Sequence, residues 1–308
     1  MGFRSIFMKL QILGCYSATP RAFTNPTAQV LEIKGHLFLI DCGEGTQVQL
    51  RRQKVKFSRI KHIFISHLHG DHFFGLPGLL STFRLLGRDT EVHIYGPKGI
   101  KLAVTTMLKV GQAWTNYPLL FHELSANESE LIMEDGKVEV FTIPLKHRVY
   151  TNGFLFREKI GERKLDIDAV LNFNIDTCYY QNIKKGKDIV LDSGEQIANE
   201  RLTLDPPPPK SYAFCSDTSY NEDVIPLIAN VNLLYHESTF LEQHHEMAAQ
   251  TGHSTAKQAA TIADMANVDT LILGHYSTRY KDLELFRSEA NTVFTNVELA
   301  EDGKEFTI

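Results

Sequence analysis

The chain has 308 residues, 43% of them hydrophobic, with a formal charge of −5 and four cysteines. That length buries a full core in one large domain, or in one domain with a sizeable insertion, and excludes a disordered or fibrous chain. The acidic balance gives no global attraction to nucleic acid or membrane, so an anionic partner must be met by a local basic patch. Cys15, Cys42, Cys178 and Cys215 are widely spaced with no CxxC pair, which argues against a disulfide framework or a cysteine zinc site and points to a reducing cytoplasm. No apolar run approaches the about 20 residues that span a bilayer, so a soluble protein without a membrane partner is expected. In the opening MGFRSIFMKLQILG, Arg4 and Lys9 interrupt what a signal peptide keeps apolar, and Ile6 stands where a myristoylation site needs Ser or Thr.

In chain order, short apolar strands alternate with turn signals: MKLQILG, AQVLEIKG, LFLIDCGEG, HIFISH and VHIYGP, with helical stretches TQVQLRRQKV and LPGLLSTFRLLG between them. The segment 157–205 breaks this rhythm. It is rich in charge, holds NIKKGKDIVLDSGEQ, which reads as a hairpin, and ends in DPPPPK, a stiff run that neither a helix nor a central strand tolerates. It reads as an inserted arm between a first part, 1–156, and a second, 206–308. The α/β pattern resumes with SYAFCSDT, NLLYHEST, the helical AKQAATIADMANV, and TLILGHYS.

FISHLHGDHFFG places His67, His69, Asp71 and His72 within six residues at the end of a strand. In extended backbone, side chains two apart point the same way, so His67 and His69 can grip one ion. Gly70 permits a sharp turn, after which Asp71 and His72 can face a second position. Nitrogen ligands with a carboxylate suit zinc, and manganese or iron are also compatible. Further ligands are expected at other strand ends: His147 after FTIPLK, Asp217 after YAFCS and His275 after LILG. Asp217 is the isolated acid that can bridge two ions. His36, His62, His93, His122, His236, His244 and His245 read as packed or surface residues.

This set resembles the ligands of the metallo-β-lactamase superfamily, whose fold is a four-layer αβ/βα sandwich. By that resemblance His67, His69 and His147 hold one zinc, Asp71, His72 and His275 the other, and Asp217 bridges. Two Zn²⁺ per subunit, with Mn²⁺ or another divalent ion as a substitute, activate water for hydrolysis. Three further stretches, LIDCGEGTQVQL, YHESTF and TGHSTAKQAA, with the final LILGHYSTRY, are similar to the tRNase Z family over nearly the whole chain.

The resemblance implies an endoribonuclease that removes the 3′ trailer from precursor tRNA. Glu237 would orient His253, which protonates the leaving 3′-oxygen, and Asp71 would also orient the attacking hydroxide. Alternatively, Glu237 only caps a turn and GHST only starts a helix. The arm would be the tRNA-binding exosite, with Lys184, Lys185 and Lys187 at its basic tip and Tyr179 or Tyr180 available to stack. Thr177 and Cys178 replace the Gly-Pro often found before that run. A homodimer, with one subunit's arm serving the other's active site, follows from the family alone, and no nucleotide cofactor is expected. The core ligands by themselves also fit a thioesterase, an arylsulfatase or a cyclic-nucleotide phosphodiesterase. A diiron relative would carry Glu at the place of His69. A second basic stretch, RRQKVKFSRIKH, has six cations and no acid between Arg51 and Lys61, and reads equally as a solvated face or an RNA contact.

Overall fold

The computed structural model describes residues 8–191 and 193–308. The segment MGFRSIF, on which the signal-peptide and myristoylation readings rest, lies outside the described residues, as does Asp192. The chain divides into two compact units, one comprising the residues up to Glu134 with Val138–Arg157 and Lys210–Ile308, the other Asp135–Lys137 with Glu158–Pro209.

The first unit is built on two seven-stranded sheets. One contains β1 (Lys9–Gly14), β2 (Ala28–Ile33), β3 (His36–Ile40), β4 (Ile60–Phe64), β5 (Val92–Pro97), β6 (Leu119–Leu124) and the carboxy-terminal β18 (Glu305–Thr307), in the order β18-β1-β2-β3-β4-β5-β6. The other contains β7 (Leu131–Glu134), β8 (Val138–Leu145), β9 (Thr151–Glu158), β14 (Ser211–Cys215), β15 (Leu233–Glu237), β16 (Thr270–Gly274) and β17 (Val297–Leu299), in the order β17-β16-β15-β14-β9-β8-β7.

Period-two alternation sends successive side chains of the first sheet into different layers. Phe38 and Ile40 of β3, Leu31 and Ile33 of β2, and Phe64 of β4 join the core that also takes Phe154, Phe156, Tyr212 and Phe214 from the second sheet. Their neighbours Leu37, Leu39, Val30 and Ile63 face the opposite way, into a second cluster with the helices. Those helices are α1 (Thr46–Arg52), α3 (Leu76–Leu85) and α4 (Ile100–Val110), while the four-residue α2 (Gly70–Phe73) carries part of the HLHGDH motif. On the other sheet, α8 (Ala256–Met265) contacts β15 and β16, and α9 (Glu284–Ala290) contacts β17. α7 (His245–Thr251) precedes α8. Two sheets face each other with helices outside each, which is the four-layer αβ/βα order expected.

The second unit has its own small core of Val170, Ile175, Ile183, Ile189, Ile197 and Leu202. Its elements are short: α5 (Ile167–Asn172), α6 (Tyr180–Lys184), and the strand pairs β10 (Lys164–Leu165) with β13 (Thr203–Leu204) and β11 (Ile189–Val190) with β12 (Gln196–Ile197). The hairpin read over NIKKGKDIVLDSGEQ therefore forms only in its second part. Its first residues belong to α6, because Ile183 is fully buried in this core with Tyr180 packed against it. The unit runs from Glu158 to Pro209, past Asp205, so it includes all four prolines, while Arg157 belongs to the first unit.

Candidate metal centre

β3, β4 and β5 run parallel, as do β14, β15 and β16, so within each set the carboxyl ends gather on one side. Polar residues accumulate at such ends because the ladder stops there and the following loops are free to turn. Asp41 follows β3, Ser66 and His67 follow β4, Asp217 follows β14, Glu237 closes β15, His275 follows β16 and His147 follows β8. His69 is the last extended residue before α2, which then presents Asp71 and His72 from its first turn.

These side chains converge in two sets. His67 Nε2 lies 2.9 Å from His69 Nδ1, His69 Nδ1 lies 3.4 Å from His147 Nε2, and Asp217 Oδ2 lies 3.5 Å from His67 and 3.8 Å from His147. In the second set His72 Nε2 and His275 Nε2 are 3.3 Å apart, and Asp71 Oδ2 is 3.4 Å from each. The other oxygen of Asp217, Oδ1, is 3.3 Å from His72 and 3.2 Å from His275. A tetrahedron with metal–nitrogen bonds of about 2.0–2.1 Å has edges of about 3.3 Å, so both sets have the span of a coordination shell. Asp217 Oδ1 is buried and lacks any hydrogen-bond donor, a costly arrangement unless a cation faces it. The donor chemistry thus fits divalent ions, with Asp217 placed between the sets.

The outer nitrogens are anchored, which fixes the tautomers. His72 Nδ1 donates to Asp41 (2.7 Å), His147 Nδ1 to the Gly252 carbonyl (2.7 Å), His275 Nδ1 to the Thr239 hydroxyl (2.8 Å) and His67 Nδ1 to the Ser66 hydroxyl (3.1 Å). With Nδ1 protonated, each Nε2 lone pair points inward as a metal ligand requires. Asp41 is itself held by the Ser66 N–H (2.7 Å) and hydroxyl (2.9 Å). Gly252 has φ +75°, and a Cβ there would come within 2.9 Å of His147 Nδ1, so the glycine of TGHST is required by this close approach.

Beside the sets, His253 Nδ1 donates to Glu237 Oε1 at 2.9 Å. Glu237 is fully buried and also accepts from the N–H groups of Thr218, Ser254 and Thr239 and from the Thr239 hydroxyl. Burial works against charge on both partners. Their mutual attraction wins, lifting His253 to about 9 and holding Glu237 below the usual carboxylate range. Burial likewise opposes charge on Asp71 and Asp217, and the surrounding imidazoles hold both well below that range. The capping alternative is also realised: Thr255 caps α8 in a reciprocal box with Gln258, which leaves the His253 ring free for Glu237. His69, Asp71, Asp217, His253 and His275 line an open cleft of about 420 Å³.

The sequence reading missed Asp41, Ser66, Thr239 and Gly252. Asp41 had a signal, since it follows a strand just as Asp217 does. Lys184, Lys185 and Lys187 belong to the second unit, at the end of α6 and in the turn after it. That turn is braced by buried Asn199, whose amide donates to the carbonyls of Ile183 (2.7 Å) and Lys187 (3.0 Å).

Comparison with known proteins places the chain in a family. A sequence family described as "Anti-Pycsar protein Apyc1" matches residues 8–161, the half that carries HLHGDH and His147 but not Asp217, Glu237, His253 or His275. Over nearly the whole chain, the Ribonuclease Z of Parabacteroides distasonis is 45% identical across 299 residues, covering 97% of this chain and 98% of that protein. Ribonuclease Z of Bacteroides fragilis is 46% identical across 295 residues, covering 96% and 97%. Among solved structures, the short form of human tRNase Z superposes with a TM-score of 0.70 at 27% identity, covering 97% and 98% of the two chains. The metallo-β-lactamase fold protein YhfI of Bacillus subtilis superposes at 0.69 with 19% identity, covering 98% of this chain and all of that one, which bears on the fold alone.

Proposed function

The chain belongs to the ribonuclease Z family, and in residues 8–161 to the Apyc1 family as well; on that footing we propose a zinc-dependent endoribonuclease that removes the 3′ trailer from precursor tRNA. Hydrolysis leaves a 3′-hydroxyl on the tRNA and a 5′-phosphate on the trailer. The observation that carries the reading is the Glu237–His253 ion pair set beside two converging ligand sets.

In this reading His67, His69 and His147 would hold one divalent ion and Asp71, His72 and His275 a second, with Asp217 serving both sets. Divalent ions bound there would supply Lewis acidity, lowering the pKa of water toward about 7 and offsetting charge on the phosphodiester. Asp71 accepts a hydrogen bond from the attacking water and aligns it with phosphorus. His253, kept protonated by Glu237, donates its proton to the departing 3′-oxygen, a poor leaving group without it. Asp41 fixes the His72 ring, and Thr239 links His275 to Glu237, so the acid pair and one ligand set share a single brace.

The second unit supplies the tRNA-binding arm, with exposed Lys185 and Lys187 and half-buried Lys184 meeting phosphates from the turn that Asn199 braces. The reading includes a cytoplasmic homodimer without a nucleotide cofactor. No described helix is long and apolar enough to cross a membrane. Incubation of the zinc-loaded protein with end-labelled precursor tRNA tests the proposal: one endonucleolytic cut with a 3′-hydroxyl on the tRNA is expected. Intact precursor alongside turnover of a thioester would sink it.

A further inference from the structure

Away from the metal centre, the basic stretch RRQKVKFSRIKH folds around a groove. α1 ends at Arg52, the chain turns through Lys54 to Lys56, a short 3-10 turn (Phe57–Arg59) follows, and β4 begins at Ile60. Together with the end of α3 and the loop after it, this path encloses a concavity of about 620 Å³ lined by Arg51, Lys54, Lys56, Lys61, Arg88 and a single acid, Asp89. Buried Arg88 builds the wall, donating to the carbonyls of Phe57, Thr90 and Glu91 while its guanidinium lies over the Phe83 ring.

The other four cations are exposed at the rim. Among the described residues, Arg59 of the same stretch forms an ion pair with Glu32 at 2.6 Å, whereas none is seen for Arg51, Lys54, Lys56 or Lys61. A cluster of four such cations on a chain of net charge −5 costs self-repulsion that a polyanion would relieve. The four are carried by three successive stretches, the end of α1, the turn after it and the start of β4, around a concavity with room for more than one phosphate. This suits a series of phosphates and not a single small anion. Lys61 lies in β4 and His67 three residues past its end, six steps of extended chain at about 3.3 Å each, so this edge of the groove is roughly 20 Å from His67, a span that an RNA whose end lies in the metal cleft can cover.

We propose that this groove is a phosphate-backbone contact for the RNA substrate, remote from the cut. The proposal rests on the ribonuclease reading above. It is tested in the metal-loaded full-length protein carrying Lys54→Glu, Lys56→Glu and Lys61→Glu together. KM for precursor tRNA should rise about tenfold or more with kcat little changed, and the salt dependence of binding should flatten by about one log unit per log salt for each phosphate no longer neutralised. Asp89→Lys should act oppositely and lower KM. Turnover of bis(p-nitrophenyl) phosphate by the same variants reports whether the metal centre survives. If the triple Glu variant loses that turnover, the triple Gln variant decides: a raised KM and a flattened salt slope with that turnover retained support the groove, and parental KM and salt slope overturn it. Cleavage of precursor tRNA with unchanged KM and salt slope in the Glu variant would overturn the groove's role while leaving the ribonuclease reading intact. Failure of the unaltered enzyme to cleave precursor tRNA would instead strike the reading itself.

Discussion

Two groups of histidines, one drawn from the strand ends of both sheets and one confined to the first sheet, do different things. At the carboxyl ends of the strands, imidazoles meet Asp41, Asp71, Asp217 and Glu237, have their outer nitrogens anchored, and turn their lone pairs toward common points. On β4, β5 and β6, His62, His93 and His122 stack instead, with ring centroids 4.8 Å and 5.3 Å apart and Tyr95 4.3 Å from His122. The acid paired there is Glu91, 3.3 Å from His93, and no set of three potential ligands gathers at that place among the described residues. Burial, with the neighbouring His93, His36, His122 and Lys61, lowers His62 to about 4, so it packs as a neutral ring. Histidine density alone therefore does not make a metal centre. Accompanying carboxylates and anchored outer nitrogens do.

Substitutions separate the two groups, beginning with the largest effect. Asp71→Ala should lower the rate of precursor cleavage by about 10³-fold or more, measured in single-turnover assays, because the proposed mechanism assigns it both a metal-binding and a water-orienting oxygen. His253→Ala should cost about 10²–10⁴-fold in kcat while bound metal stays at the parental level. Metal loss in that variant would reassign His253 as a ligand. Asp41→Asn should weaken metal affinity by about 10–100-fold in a competition titration, since it loosens the ring of His72 without removing a ligand.

In the stacked group, His62→Phe should leave cleavage unchanged and alter stability chiefly through pH. A histidine with a folded pKa near 4 and an unfolded value near 6.5 binds more protons when unfolded between those limits. Its contribution is present above pH 6.5 and is lost as pH falls toward 4. The urea midpoint of the Phe variant should accordingly fall less steeply over that window than the parent's. An identical slope would mean that His62 is not held neutral by its surroundings.

Much of the centre was readable because its logic is local. HLHGDH is compact, and His147, Asp217 and His275 each follow a recognisable strand. Asp41 was harder, since Asp before Cys-Gly-Glu-Gly also reads as a turn residue, and its service to His72 spans 31 positions in sequence. The sequence reading did not include α4. KLAVTTMLKV carries three β-branched residues before its end, which weaken helix preference, and the helix is secured by burial of Ile100, Val104 and Leu108 on one face. The run NIKKGKDIV was misread for the same reason in reverse: burial of Ile183 in a small separate core outweighs the local turn pattern.

The proposed centre stands on two ligand sets that share Asp217. Metal content per chain, measured by elemental analysis after zinc loading and gel filtration for the unaltered protein and for Asp217→Asn, tests it directly. Two ions per chain are expected in the parent and fewer in the variant, together with loss of cleavage. A single ion in the parent, or an unchanged count with unchanged cleavage in Asp217→Asn, would contradict it.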